Sequence, residues 1–246
     1  MYQDLLIEIP KLDEDLLAIL PFYTSFLGEL GSGKRDYLET QSLQSSITGS
    51  FGAYAIKRSM VDDADTMKTY FVLSGKALLR NHEAMLGLMT ETLDDVRFDE
   101  HSRIRELFAQ TRAAREQSVT GSGHALAMSA AASGINPIAA LSHRLHGLQG
   151  IKSLKALDDG LDNEAGIREV AERFERLHNI IRQGQRQHLI VAEEENIQSL
   201  SDRTSDLYSK SETANTPATP FTVDFQPDKV RPVSYTHLTL PTTLRV

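Results

Sequence analysis

Residues 68–98 constrain this chain most, because the hydrophobic period changes there once, within a short span. Residues 69–75 (TYFVLSG) form a compact apolar run of β-branched and aromatic side chains, the pattern of a short buried strand. Residues 76–80 continue from it, and Asn81 stands where a helix N-cap belongs, its side-chain oxygen able to accept from a free first-turn amide. Met85, Leu88, Met89, Leu93 and Val96 then recur at three- and four-residue steps, one apolar helix face. A buried strand feeding an amphipathic helix that packs on its sheet is the unit of an α+β layer. The expected fold class is therefore α+β: a helix-rich two-layer module with a small, mainly antiparallel sheet.

The flanks read as cover for that unit. Leu5, Ile7 and Ile9 alternate as in a half-buried strand that Pro10 stops. Asp13 is placed to cap a helix carrying Leu16, Leu17 and Leu20, kinked or restarted at Pro21, and residues 31–33 end it with glycine. Residues 36–44 suggest a short helix, residues 45–58 a strand opened by Gly49 and Gly52, and residues 61–66 a turn. Beyond Phe98, Asp99 is placed to cap a long helix with Ile104, Leu107 and Phe108 on one face. Gly121, Ser122 and Gly123 break it, and residues 125–132 resume as a helix whose small side chains suit a buried site. A short helix follows from Asn136 and Pro137 to Leu145. Asn163 heads the clearest apolar stripe of all, through Ile167, Val170, Phe174, Leu177 and Ile181. Residues 188–192 (HLIVA) read as a second short buried strand. Glu193–Glu195 opens a last helix, acidic at its N-terminus as the helix dipole favours, with Ile197, Leu200 and Leu207 as its apolar side.

Charge and cysteine narrow the function classes. A net charge of −8 argues against a general nucleic-acid binder and against an anionic membrane surface. No run reaches the roughly 20 apolar residues of a membrane span, and residues 1–10 lack the pattern of a signal peptide. With no cysteine there is neither a disulfide framework nor a thiolate metal site. The partners expected thus exclude nucleic acid and membrane, and the location expected is the cytoplasm or an organelle matrix.

No motif assembles a catalytic centre. Residues 28–34 (GELGSGK) match part of a phosphate-binding loop, but Arg35 stands where the magnesium-binding hydroxyl belongs and no strand precedes Gly28. A glycine helix terminus accounts for them better. His143 and His146 are three residues apart, yet no acidic residue follows until Asp158. His82-Glu83 lacks the second histidine of H-E-x-x-H, and H-x-x-E-H is absent. Ser122, beside His124, lies between helices rather than after a strand, so a nucleophile elbow does not fit. Glu193, Glu194 and Glu195 read as a solvated helix start. No catalytic, cofactor-binding or metal-binding residue is assigned.

Taken in order, these segments resemble the second half of the pitrilysin-type (insulinase-like) zinc metallopeptidases, in the presequence-protease subfamily. Residues 12–39 look like the helix pair that opens the third module of such enzymes. Residues 45–54 (SSITGSFGAY) are similar to the glycine-bearing strand that follows, residues 70–98 to a strand–helix signature, and residues 121–131 (GSGHALAMSAA) to a glycine-histidine break. Residues 221–231 (FTVDFQPDKVR) look like the approach to the fourth module.

The resemblance implies that residues 1–213 are a non-catalytic module, with residues 214–231 the linker and start of the next. Residues 232–246, whose SYTHLTLPTT resembles translated adaptor or vector DNA, are expected to be foreign to the fold or disordered. It further implies four related modules in two bowl-shaped halves that close over unfolded peptides. Zinc would sit on H-x-x-E-H in the N-terminal half, so this chain needs no cofactor of its own and is expected to be inactive alone. Its implied partners are that catalytic half and peptide substrate. The implied role is a chamber wall whose acidity would match basic peptides. The alternative reading is a stand-alone helical protein-interaction module with no proteolytic role.

Overall fold

A computed structural model describes residues 1–208 and 217–223. Four lanes of antiparallel strand form one sheet, in the order β2 (Thr48–Ser59), β3 (Thr66–Ala77), β1 (Tyr2–Ile9), β4 (Arg186–Val191). β1, expected to lie at an unpaired edge, is instead central: its register runs from Tyr2 opposite Lys76 to Ile9 opposite Thr69, and β4 covers its other side. Pro10 then turns the chain away. Further along in sequence, β5 (Phe221–Thr222) pairs with Met67 and Thr66 of β3. Ser59 already occupies the opposite side of Met67, so β5 fills the lane that β1 leaves.

The strand read at residues 69–75 is longer than expected, because β2 pairs along its whole length. Residues 45–47, read as strand, are helical: α2 (Tyr37–Ile47) is set by a capping box in which Asp36 Oδ1 accepts from Glu39 N at 2.9 Å and Glu39 accepts in return from Asp36 N. Asp36→Ala is expected to cost about 1 kcal/mol, read as a lower urea midpoint.

One face of the sheet carries every packed helix. Gln3, Leu5, Ile7 and Ile9 of β1 and Met67, Phe71 and Leu73 of β3 point to it and are buried. Against them pack α1 (Glu14–Phe26), α3 (His82–Asp94), α4 (His101–Gly121) and α8 (Glu164–Arg182). The centre is aromatic: Phe174 of α8 lies 6.1 Å from Tyr23 and stacks on Phe108, while Phe26 meets Phe108 edge-on at 4.9 Å. Gly75 lets α3 come down on the sheet, since a Cβ there would lie 2.7 Å from Met85 Sδ.

Several local expectations needed correction. Asp13 and Asn81 occupy N-cap positions without making the side-chain bond. Asn81 Nδ2 donates instead to the carbonyl of Ile47 at 2.8 Å, tying α3 to the end of α2. The cap of α4 is Glu100 rather than Asp99, which pairs with Arg97. Asn136 and Asn163 do cap α6 (Pro137–His146) and α8, accepting from Ala139 N and Gly166 N. An unpredicted helix, α7 (Leu148–Asp159), connects them. α5 (Gly123–Ala132), expected to be buried, buries no residue and leaves Met128 58 % exposed. β4, expected to be buried, is an edge strand with Leu189 and Val191 in solvent. Of the stripe on α9 (Glu194–Tyr208), Leu200 is buried while Ile197 and Leu207 are exposed.

Candidate functional site: the helix-free sheet face

The side chains that alternate with the core set emerge on a face that carries no packed helix. Register places them in rows across the sheet. Tyr54, Val72, Leu6 and Gln187 make a mainly apolar row. Gly52, Ser74, Asp4 and Leu189 make the next, a shallow row of small side chains between bulkier ones. Beyond it lie Ser50, Lys76, Tyr2 and Val191, with the Lys76 ammonium 5.0 Å from the Tyr2 ring centre.

Tyr2, Tyr54, Leu189 and Val191 are exposed large apolar groups on this one face, and such a patch on a soluble fold marks a contact surface. Its charges are mixed: Asp4 and Glu8 against Arg58, Lys68 and Lys76. The acidity of the whole chain is therefore not concentrated here. Burial and the neighbouring Asp4 carboxylate both push the Tyr54 phenol up, so it stays a neutral hydrogen-bonding group through the physiological range.

One corner of the face is closed by the chain itself. Glu8, 4 % exposed, accepts from Lys68 Nζ at 3.1 Å and from the backbone N–H of Ala218 at 2.6 Å. Phe221 and Val223 pack on the core beside it, so residues 217–223 fasten across the end of β1 and β3.

The residues singled out by motif lie elsewhere and do not converge. In residues 28–34 the N–H groups that would cradle a phosphate already donate within the chain: Gly31 to Glu100 at 2.6 Å, Ser32 to Thr40 and Gly33 to the Asp95 carbonyl. Gly33, at φ +58°, supplies the left-handed turn. Ser122 and His124 are exposed at the α4–α5 break, as are Glu193–Glu195 at the start of α9. His143 comes within 3.4 Å of Ser129, while His146 opens into a different cleft. His82 is buried, its Nε2 2.9 Å from Gln3 Oε1, and Gln3 Nε2 donates on to Thr204. No group of three His, Cys, Asp or Glu among the described residues could hold a metal ion, and no described helix is long and apolar enough to cross a membrane.

The sheet-face residues escaped motif reading because strand alternation defines two faces without saying which one the helices take.

A family model described as "Peptidase M16-C associated" matches residues 1–157. The chain is 25 % identical over 177 residues to "Presequence protease 1, chloroplastic/mitochondrial" of Arabidopsis thaliana, covering 72 % of this chain and 16 % of that protein. With "Presequence protease, mitochondrial" of Danio rerio it is 26 % identical over 174 residues, covering 70 % of this chain and 17 % of the relative. It thus matches about one-sixth of the length of these curated relatives. In fold alone it is similar to a conserved protein from Enterococcus faecalis V583, with a TM-score of 0.51 at 10 % identity, covering 91 % of this chain and 49 % of that one.

Proposed function

This chain belongs to the M16 subfamily-C peptidase-associated family, and from that premise we propose that it forms a non-catalytic wall of the substrate chamber in a presequence-protease-like zinc peptidase. The observation that carries the reading is the helix-free sheet face, where Tyr2, Tyr54, Leu189 and Val191 remain exposed while the opposite face is fully packed. A chamber that holds unfolded peptides needs a surface of that kind: apolar contact for side chains of any sequence, with scattered polar groups for the peptide backbone. Residues 1–213 would make up this module, and residues 214–231 would lead into the next. Tail residues 232–246 lie outside the described residues. Zinc and its general base would belong to the partner half, where the metal activates a water for peptide-bond cleavage. The substrates would be short unstructured peptides, and the setting an organelle matrix such as the relatives' names indicate.

The test is to mix this chain with a separately produced N-terminal half of a homologous enzyme and to follow a quenched fluorescent basic peptide. Cleavage should need both halves and be abolished by a zinc chelator, and Tyr54→Asp should lower it about tenfold. If a chain shown to be folded by circular dichroism neither associates nor supports cleavage, the reading fails. The second reading, a helical interaction module, is favoured by one observation, the exposed helix α5. It predicts that same negative result.

A further inference from the structure

A second surface, round the β2 edge from the sheet face, has a chemistry of its own. Phe22 of α1 is the shared wall of three adjoining hollows between α1, α4, α6 and α7. The largest has a volume of about 180 Å³, with apolar walls from Leu20, Phe22 and Ala53 and a polar rim from Thr111, Arg115 and His146. No carboxylate lines it.

Arg115 is the unusual member of its helix. Arg103, Arg105 and Arg112 of α4 each hold carboxylates, at 2.9 Å to Glu29, 2.6 Å to Asp158 and 2.9 Å to Asp158. Arg115, also half-buried, forms no ion pair among the described residues. Lys57 of β2 adds a second half-buried cation without a partner among them, its ammonium held below the usual lysine range by burial. Partial burial and the charges of Lys57 and Arg115 together hold His146 low, at about 4. The ring is exposed at the mouth, so the two cations are the more durable of those causes. In a chain of net charge −8, this is a local positive potential over an apolar pocket.

We propose that this cleft binds a carboxylate carried on a small apolar body, with the guanidinium of Arg115 receiving the carboxylate and Phe22 the apolar group. A planar fork beside apolar walls suits a carboxylate, which it can meet with two parallel N–H donors. Two sources share that chemistry: the C-terminus of a peptide ending in an apolar residue, and a free aromatic or aliphatic acid.

Calorimetric titration of the full chain tests this with three probes: 3-phenylpropanoate, a short peptide ending in phenylalanine with a free carboxylate, and the same peptide amidated. Both acids should bind saturably and compete, and the amide should fail. Arg115→Gln should weaken the acids about tenfold, Arg115→Lys less, and Arg80→Gln on another surface not at all. A tighter peptide identifies chain termini as the ligand; a tighter phenylpropanoate identifies small acids. Equal binding of acid and amide, unchanged binding to Arg115→Gln, or no saturable binding of either acid up to about 10 mM overturns the site. Should Arg115→Gln not fold, Lys57→Gln is expected to weaken the acids about threefold by loss of the local potential, and no change there counts equally against it.

Discussion

Replacing Phe174 by alanine should lower the unfolding free energy by about 4 kcal/mol, the largest effect expected of any single core truncation in this chain. Phe174 is 0 % exposed. Its ring meets Tyr23 at 6.1 Å, Phe26 at 6.2 Å, Phe98 at 5.9 Å and Phe108 at 6.1 Å. Those partners come from α1, the segment before α4, and α4 itself, so no one element can move to fill the void. The cavity term then adds to the lost transfer energy instead of being relieved. Against a typical total of about 5–15 kcal/mol, the variant would lie close to the folding threshold. Urea titration followed by circular dichroism reads the loss. Phe174→Leu, which keeps most of the volume, should lose clearly less. A loss under about 1 kcal/mol for the alanine variant would mean that α8 is not the keystone of this layer.

The same residues show how far the sequence could be read. Phe174 belongs to the stripe headed by Asn163, and a stripe that long admits one period and one face. The unit of β3 and α3 was legible for the same reason, and with it the α+β class. Readings failed where period carries no information about burial depth. Leu189 and Val191 look like part of a buried run, yet β4 is an edge whose outward side nothing covers. The small residues of α5 suit a close-packed helix, but packing depends on a neighbour, and α5 buries nothing. Caps failed where a longer-range partner competed: Asn81 bonds to Ile47 across 34 residues, and Asp99 turns to Arg97. The candidate site was the least legible part. Tyr2, Tyr54 and Leu189 are far apart in sequence and meet only through the registers of β1 with its neighbours, a long-range property that no local window contains. The family resemblance was readable because it rests on the order of segments, which survives even where individual boundaries shift.

The second large effect expected is a loss of stability in mild acid that runs through His178. Its ring is 5 % exposed in the core. The Tyr23 hydroxyl lies 2.8 Å from Nδ1, and Nε2 lies 2.8 Å from the Leu93 carbonyl. A carbonyl can only accept, so Nε2 carries the proton and Nδ1 accepts from Tyr23; both ring nitrogens of the neutral form are satisfied. Protonation would put a second N–H at Nδ1, facing a hydroxyl whose own proton must then turn away inside the core. Burial, with the Arg182 charge acting in the same direction, holds the imidazole low, at about 4 instead of 6.5, despite the Leu93 carbonyl.

The sign follows from proton uptake. Above pH 6.5 the ring is neutral folded or unfolded, and its full contribution is present. Between 6.5 and about 4 the unfolded chain takes up a proton that the native chain refuses, so stability falls as pH falls. At about 1.4 kcal/mol per unit, the loss from this one group reaches about 3 kcal/mol by pH 4. Burial also holds His188 low, at about 4, with its ring against Tyr208, so it adds to the same trend. Urea unfolding at pH 7, 6, 5 and 4.5 measures the slope, and His178→Gln isolates the group, since glutamine can both donate and accept but does not titrate in this range. The variant should be less stable than the parent at pH 7 and lose less on acidification. Equal slopes for the two proteins would show that His178 takes up its proton in the folded state, through a rearrangement of the contact among Tyr23, His178 and Leu93.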